Sequence, residues 1–325
     1  MTIEVRPATT GDDDLATIAR IISTARPDDP TTVDEMRWSD ATYPGGRRFI
    51  ATLDGGAVGV GTIGRIYVYP PTFDALWGTV DVLPDARRRG VGAAVLEAIR
   101  AATVEVGKSA LHIPASDGRP DGVAFLLHRG FTEYERAAMV ELRLAGLARP
   151  QIEPPAGVRL VTLDARPDLV PGVHAVAQET FDDIPGDDPM AAGDLAEFRA
   201  RDVDRDVIPR WGFLVAMDDA TDQVIGYASL AFDPGSSTVA YHDMTAVRPA
   251  WRGRGVATAL KAATIAAARD HGLERLYTGN DIDNVPMRAV NARLGYRPLP
   301  DWLTMRGPAI PPGAADPIVP VSGGA

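Results

Sequence analysis

Val82-Leu83-Pro84-Asp85-Ala86-Arg87-Arg88-Arg89-Gly90-Val91-Gly92 is matched, 165 residues further on, by Val247-Arg248-Pro249-Ala250-Trp251-Arg252-Gly253-Arg254-Gly255-Val256-Ala257. At the same spacing Leu111 falls on Leu276 and Gly130-Phe131 on Gly295-Tyr296, so the chain reads as two copies of one domain. Each segment runs from an apolar strand through an arginine and glycine turn into a helix. Val256, Leu260, Ala263, Thr264 and Ala267 form one stripe of that helix, and Gly272 ends it. Val91, Val95, Ile99, Ala102 and Val106 trace the same stripe in the first copy, closed by Gly107.

Working outward, 325 residues with 45% hydrophobic content suffice for two ordinary cores. Residues 1–147 form the first copy and 156–307 the second. Between them 148–155, with Pro150, Pro154 and Pro155, breaks both helix and strand and reads as a linker. From 308 to 325 there is no apolar periodicity, and a disordered tail is expected. In the second copy the pattern predicts strands at about 158–163, 211–217, 223–232, 238–247, 274–279 and 296–306. Helices are predicted at about 168–180, 191–203, 255–271 and 284–294. The fold class is α/β, an α+β mixed sheet with helices on both faces. Asp54-Gly55-Gly56 and Asp222-Gln223 stand where hairpin turns would join strands.

Composition narrows the chemistry. Zero cysteines exclude disulfides, thiolate metal sites and a cysteine nucleophile, so an acyl group would pass directly to its acceptor. A formal charge of −11 argues against a nucleic-acid surface and favours cationic partners. No apolar run approaches membrane-spanning length, and the N-terminus lacks the form of an export signal, so a soluble cytoplasmic protein is expected, without membrane or metal. Lysine occurs only at 108 and 261, which suggests no Schiff-base chemistry.

A helix start offers unpaired N–H groups and the positive end of the dipole, and small residues let a diphosphate approach the backbone. Arg252, Gly253, Arg254, Gly255, Val256 and Ala257 form such a loop, as do Arg87, Arg88, Arg89, Gly90, Val91 and Gly92. By itself the pattern also describes a plain cap. It lacks the third glycine of a dinucleotide fold and the Gly-Lys-Ser/Thr of a P-loop. In context, with the strand before it and the helix and Gly-aromatic pair after it, the sequence resembles the GNAT superfamily of N-acetyltransferases. The tandem arrangement is similar to that of mycothiol synthase and related acetyltransferases.

The resemblance implies acetyl-CoA as acyl donor. Its pantetheine arm would run along Thr245, Ala246 and Val247, or Val82 in the first copy, and its pyrophosphate would sit on the two loops. It also implies a cofactor contact for Asn284, which an N-cap role explains equally well. Direct transfer needs a base for the amine and a proton for the leaving thiolate. Asp243 is the expected base, acting through water. His242 beside it should face the other side of the strand. The family's acid, a tyrosine, is replaced by Asn291, which cannot protonate a thiolate, so water, Tyr277 or Tyr296 takes that part, or the thiolate leaves unaided.

At the spacing of 165, Asp243 falls on Gly78, Asn284 on Arg119 and Asn291 on Leu126, so the second copy is the expected catalyst. Asp81 remains in the first copy but aligns with Ala246. The acidic segment from Phe181 to Pro189 would attract a cationic amine or be merely solvated, and Trp211 and Trp302 would line an apolar wall or pack in the core. The expected partner is a small-molecule amine, for a monomer or homodimer. A non-catalytic acyl-CoA-binding module is the alternative.

Overall fold

The computed structural model describes residues 1–184, 188 and 190–310. In the first copy β1 (Ile3–Pro7), α1 (Asp12–Ala25), α2 (Val33–Thr42), β2 (Arg47–Leu53), β3 (Gly56–Gly64) and β4 (Ala75–Val82) come first. They are followed by α3 (Val91–Glu105), β5 (Ala110–Ser116), α4 (Pro120–Leu127) and β6 (Thr132–Arg143). The second copy repeats the order with β7 (Val158–Thr162), α5 (Val170–Thr180), α6 (Leu195–Asp202), β8 (Leu214–Asp218), β9 (Val224–Phe232) and β10 (Val239–Val247). It ends with α7 (Val256–Asp270), β11 (Arg275–Asp281), α8 (Val285–Arg293), β12 (Arg297–Pro298) and β13 (Trp302–Pro308). Residues 148–155 carry neither helix nor strand.

All the strands belong to one sheet in the order β1-β2-β3-β4-β5-β13-β6-β11-β10-β9-β8-β7, with β12 alongside β6. Pairing is antiparallel throughout except for β4 with β5 and β10 with β11. The last strands are exchanged between copies. β13 of the second copy lies between β5 and β6 of the first, and β6 in turn pairs with β11 of the second. The single final strand expected over 296–306 is therefore two pieces. Leu299 still donates its N–H to the Met139 carbonyl of β6, but from Trp302 the chain turns onto β5. Pro308 and Ala309, expected to be disordered, belong to the sheet: β13 runs to Pro308, and buried Ala309 donates to the Ser109 carbonyl at 2.8 Å. The rest of the expected tail, 311–325, lies outside the described residues.

The apolar stripes fill separate layers. Leu260 and Val256 of α7 pack under β8 and β9, while Val173, Val176 and Phe198 of α5 and α6 cover the opposite face with Tyr227 and Ala246. In the first copy Leu15, Ile18 and Ile22 of α1 and Val95 and Ile99 of α3 do the same. Gly107 and Gly272 end α3 and α7 with positive φ, and the amides of Lys108 and Leu273 reach back to the carbonyls of Thr103 and Ala268.

One difference between the copies decides where chemistry is placed. Along β3 and β4 the register is unbroken from Gly59 opposite Val82 to Gly64 opposite Trp77. Along β9 and β10 it shifts: His242 faces Leu230 and Thr245 faces Ala228, so Asp243 and Met244 together oppose the single Ser229. This β-bulge inserts one residue. Ala75 pairs with Ala110 where Val239 pairs with Arg275, so the spacing is 164 before the bulge and 165 after it. Asp243 therefore does not fall on Gly78. His242 takes that place, and Asp243 belongs to a bulge that the first copy lacks.

Candidate active site

The two loops have the same backbone. A short turn of 3-10 helix, Pro84–Ala86 or Pro249–Trp251, leads to a left-handed residue at Arg88 (φ 62°) or Gly253 (φ 73°), then to a left-handed N-cap at Gly90 (φ 88°) or Gly255 (φ 92°). Neither N-cap supplies a side-chain acceptor, and the first backbone bond into α7 runs from Ala259 to the Gly255 carbonyl at 3.0 Å. The amides ahead of Ala259 thus have no helical partner and form the positive end of the dipole. Arg87 and Arg252 play a different part from the anion contact expected of them. Each donates Nε to the carbonyl of the strand residue five before it, Val82 or Val247, at 3.0 Å. Arg252 also pairs with Asp183 at 2.5 Å, and Arg254 lies over the Trp251 ring. The first arginine braces the loop, and the backbone amides beyond it stay available.

Behind the loop the sheet splits. β10 and β11 stay paired only as far as Tyr241 opposite Tyr277, although β10 continues to Val247 and β11 to Asp281. Thr278 Oγ1, at the fork, donates to the His242 carbonyl at 2.8 Å. Two buried polar atoms on the elements flanking the gap have no hydrogen-bond partner: Thr245 Oγ1 on β10 and Asn291 Oδ1 on α8. Asn291 spends its Nδ2 on Asn280 Oδ1 of β11, at 2.6 Å. Native proteins rarely leave such atoms unpaired. A split lined by free backbone and two orphaned polar groups, ending on an uncapped helix start, fits the amide-bearing arm and diphosphate of acetyl-CoA.

Parity is as alternation along the strand requires. His242 turns toward α7, where Nδ1 meets Tyr296 Oη at 2.8 Å and Nε2 meets Thr264 Oγ1 at 2.9 Å. Asp243 turns to the other face, near Asp202, Arg201 and Arg205. Burial first, and the Asp202 charge second, push its carboxyl up to about 6, against the Met244 amide and the two arginines. A carboxylate poised there takes up protons near neutrality.

Other expected residues stand elsewhere. Asn284 caps α8, accepting from the Met287 amide at 3.3 Å, which favours the N-cap reading. Tyr277 Oη donates to Asp233 and Tyr296 Oη is held by His242, so neither is free. Trp211 stacks on His271, away from the split, whereas Trp302 lines a cavity. Of the acidic segment, Asp183 pairs with Arg252 and Asp188 holds Tyr134 and Arg306, while residues 185–187 and 189 lie outside the described ones.

That cavity, about 430 Å³, lies between the copies and was not legible in the sequence, because strands from both halves enclose it. Four carboxylates line it, Asp28, Asp29, Glu135 and Asp281, with Arg136; of these Asp28 is paired with Arg119 and Asp29 with Arg26. Tyr241 links it to the split by accepting the Gly279 amide at 3.1 Å.

In the first copy the equivalent split is bridged by its own side chains. Arg26 donates to buried Asp81 at 2.7 Å. Arg119, where the second copy has Asn284, donates to the Ala25 carbonyl and pairs with Asp28, and Arg87 reaches the same carbonyl. The Phe125 ring sits against Gly92 in the first turn of α3.

A split sheet with a glycine-rich helix start, present twice, defines a tandem acetyltransferase, and the chain belongs to the Acetyltransferase (GNAT) family, which matches residues 15–131 and 174–296. The enzyme is an N-acetyltransferase. It is 30% identical over 219 residues to mycothiol acetyltransferase of Salinispora tropica, covering 66% of this chain and 67% of that protein. It is 28% identical over 292 residues to mycothiol acetyltransferase of Salinispora arenicola, covering 87% and 89%. A solved tandem GNAT protein from the clavulanic acid biosynthesis pathway superposes with a TM-score of 0.74 at 22% identity, over 95% of this chain and 99% of that one. Among the described residues no group of side chains suits a metal ion, and no helix is long and apolar enough to cross a membrane.

Proposed function

We propose that the second copy, residues 156–307, moves the acetyl group of acetyl-CoA to the primary amine of a small cationic molecule, with the first copy, 1–147, as scaffold. The observation that carries this reading is the bulge that sets Asp243 beside the split, present along β9 and β10 and missing from the unbroken register of β3 and β4. The backbone of 245–247, the orphaned groups of Thr245 and Asn291 and the amides of 253–258 hold the donor. Asp243 accepts the amine's proton, directly or through a water, as nitrogen bonds to the acetyl carbon. The carboxylates of the central cavity draw a cation toward this point, and Trp77, Trp302 and Tyr277 give it apolar walls. The relatives' name puts a mycothiol-type amine first among acceptors.

The test follows released CoA thiol with a thiol reagent, in which a cysteine-free protein is silent. The panel holds cysteinyl amino-sugars, aminoglycosides, polyamines and amino acids. Thiol release with one class, abolished in Asp243→Ala, supports the reading. Saturable acetyl-CoA binding with no release from any amine would overturn it in favour of a binding module.

A further inference from the structure

Asn291 leaves the reaction without the group that returns a proton to sulfur, and the comparison between copies shows where a substitute stands. Below the bulge the second copy buries His242, Lys261, Thr264 and Tyr296. The first copy has Gly78, Leu96, Ile99 and Phe131 at the corresponding places, all apolar. Three of the four polar groups satisfy one another. Taking His242 as neutral with its proton on Nε2, Tyr296 donates to Nδ1, Nε2 donates to Thr264, and Thr264 donates to the Lys261 carbonyl at 2.9 Å.

The fourth group is left over. Lys261, one turn beyond the loop on α7, is 1% exposed, and its ammonium makes neither a hydrogen bond nor an ion pair among the described residues. The Tyr296 ring centroid is 5.7 Å from Nζ. The two residues at the start of the bulge feel it: its charge lowers His242, and Asp243, on the other side of β10, raises it. A buried unpaired amine is costly and persists where it has work to do.

We propose that Lys261 is the proton donor to the CoA sulfur, standing in for the tyrosine that Asn291 has replaced. The inference rests on the second copy's being the catalyst. The C–S bond breaks as the C–N bond forms, the electron pair goes to sulfur, and the Lys261 ammonium gives that sulfur a proton and becomes an amine. Asp243 then releases the acceptor's proton to solvent and Lys261 takes one up from it, so that both groups are reset and no net proton is gained or lost. Burial brings Lys261 down to about 7, with Asp243 opposing, while burial lifts Asp243 to about 6. The charged groups around the pair are Asp202, Arg201 and Arg205 on the Asp243 side, with neutral His242 and Tyr296 on the Lys261 side. Between these two values Asp243 is ionised and Lys261 protonated, so kcat/KM should rise through about pH 6 and fall above about 7.

The test compares wild type with Lys261→Met, which keeps the volume and removes the charge. With any amine that wild type turns over, kcat should fall about 10²-fold or more and the alkaline limb of the pH profile should vanish. The dissociation constant for acetyl-CoA should stay within about twofold, and the thermal midpoint below pH 7 should rise, since a buried charge has been removed. An unchanged kcat, or an acetyl-CoA affinity lost in parallel with kcat, overturns the donor role. Wild type inert toward every amine, with Lys261→Met more stable as described, would count against the transferase reading instead.

Discussion

At the residue scale the identity of Asp243 was legible and its setting was not. A carboxylate in the strand before the loop stands out in the sequence, and alternation alone sets it on the opposite face from His242, but the bulge it belongs to adds one residue without altering the pattern of residue types. Neutral Asp243→Asn should lower kcat about 10²- to 10⁴-fold and remove the acid limb near pH 6. Stability should move the other way. The folded chain holds this proton up to about pH 6, whereas the unfolded one releases it near 3.8, so stability falls as pH rises through that window. At pH 7 the ionised group costs at most about 3 kcal/mol. Asp243→Asn should therefore melt at a higher temperature than wild type at pH 7, and no higher at pH 4, in paired thermal scans. Lys261 was passed over for a related reason: a lysine at a core-facing helix position reads as a solvated side chain until the sheet that buries it is in place.

At the element scale the loops were read correctly as a pair, because a left-handed N-cap followed by an apolar stripe depends on local residues alone. Their difference comes from neighbours distant in sequence. Arg26 and Arg119 close the first split through Asp81, Asp28 and the Ala25 carbonyl, leaving Asp81 Oδ2 without a partner, while beside the second Thr245 Oγ1 and Asn291 Oδ1 have none. Gly90→Ala and Gly255→Ala should each cost roughly 1–2 kcal/mol, since an alanine at φ near 90° is strained whatever the room around it. Around Gly255 the room is ample, with Pro155 at 4.0 Å the nearest atom to an added Cβ. Only Gly255→Ala should weaken acetyl-CoA, by about tenfold or more. Titration calorimetry should find one acetyl-CoA per wild-type chain. A second equivalent abolished by Gly90→Ala would show that the arginine bridges open.

At the scale of the whole molecule, the repeat announced two copies but not that they exchange strands. The alternation along β6 satisfies a sheet whichever neighbours it has, so partner choice is absent from the pattern. The consequence is that neither half owns a complete sheet. Without the second copy, β5 and β6 lose β13 from between them; without the first, β11 loses β6 and β13 has no strand to join. Interfaces between the halves also bring Arg205 onto Glu35 and the Trp38 ring, and the Trp38 indole onto the Ala200 carbonyl. Expressed separately, 1–147 and 156–325 should aggregate or self-associate, each exposing unpaired edge strands. Expressed together from two messages, they should form a one-to-one complex that regains acetyl-CoA binding. Size-exclusion chromatography with light scattering separates these outcomes, and hydrogen exchange on β6 and β13 checks them strand by strand. A second half that runs alone as a monomer, with β11 as protected as in the full chain, would show that the exchange is incidental and that the site needs no scaffold from the first copy.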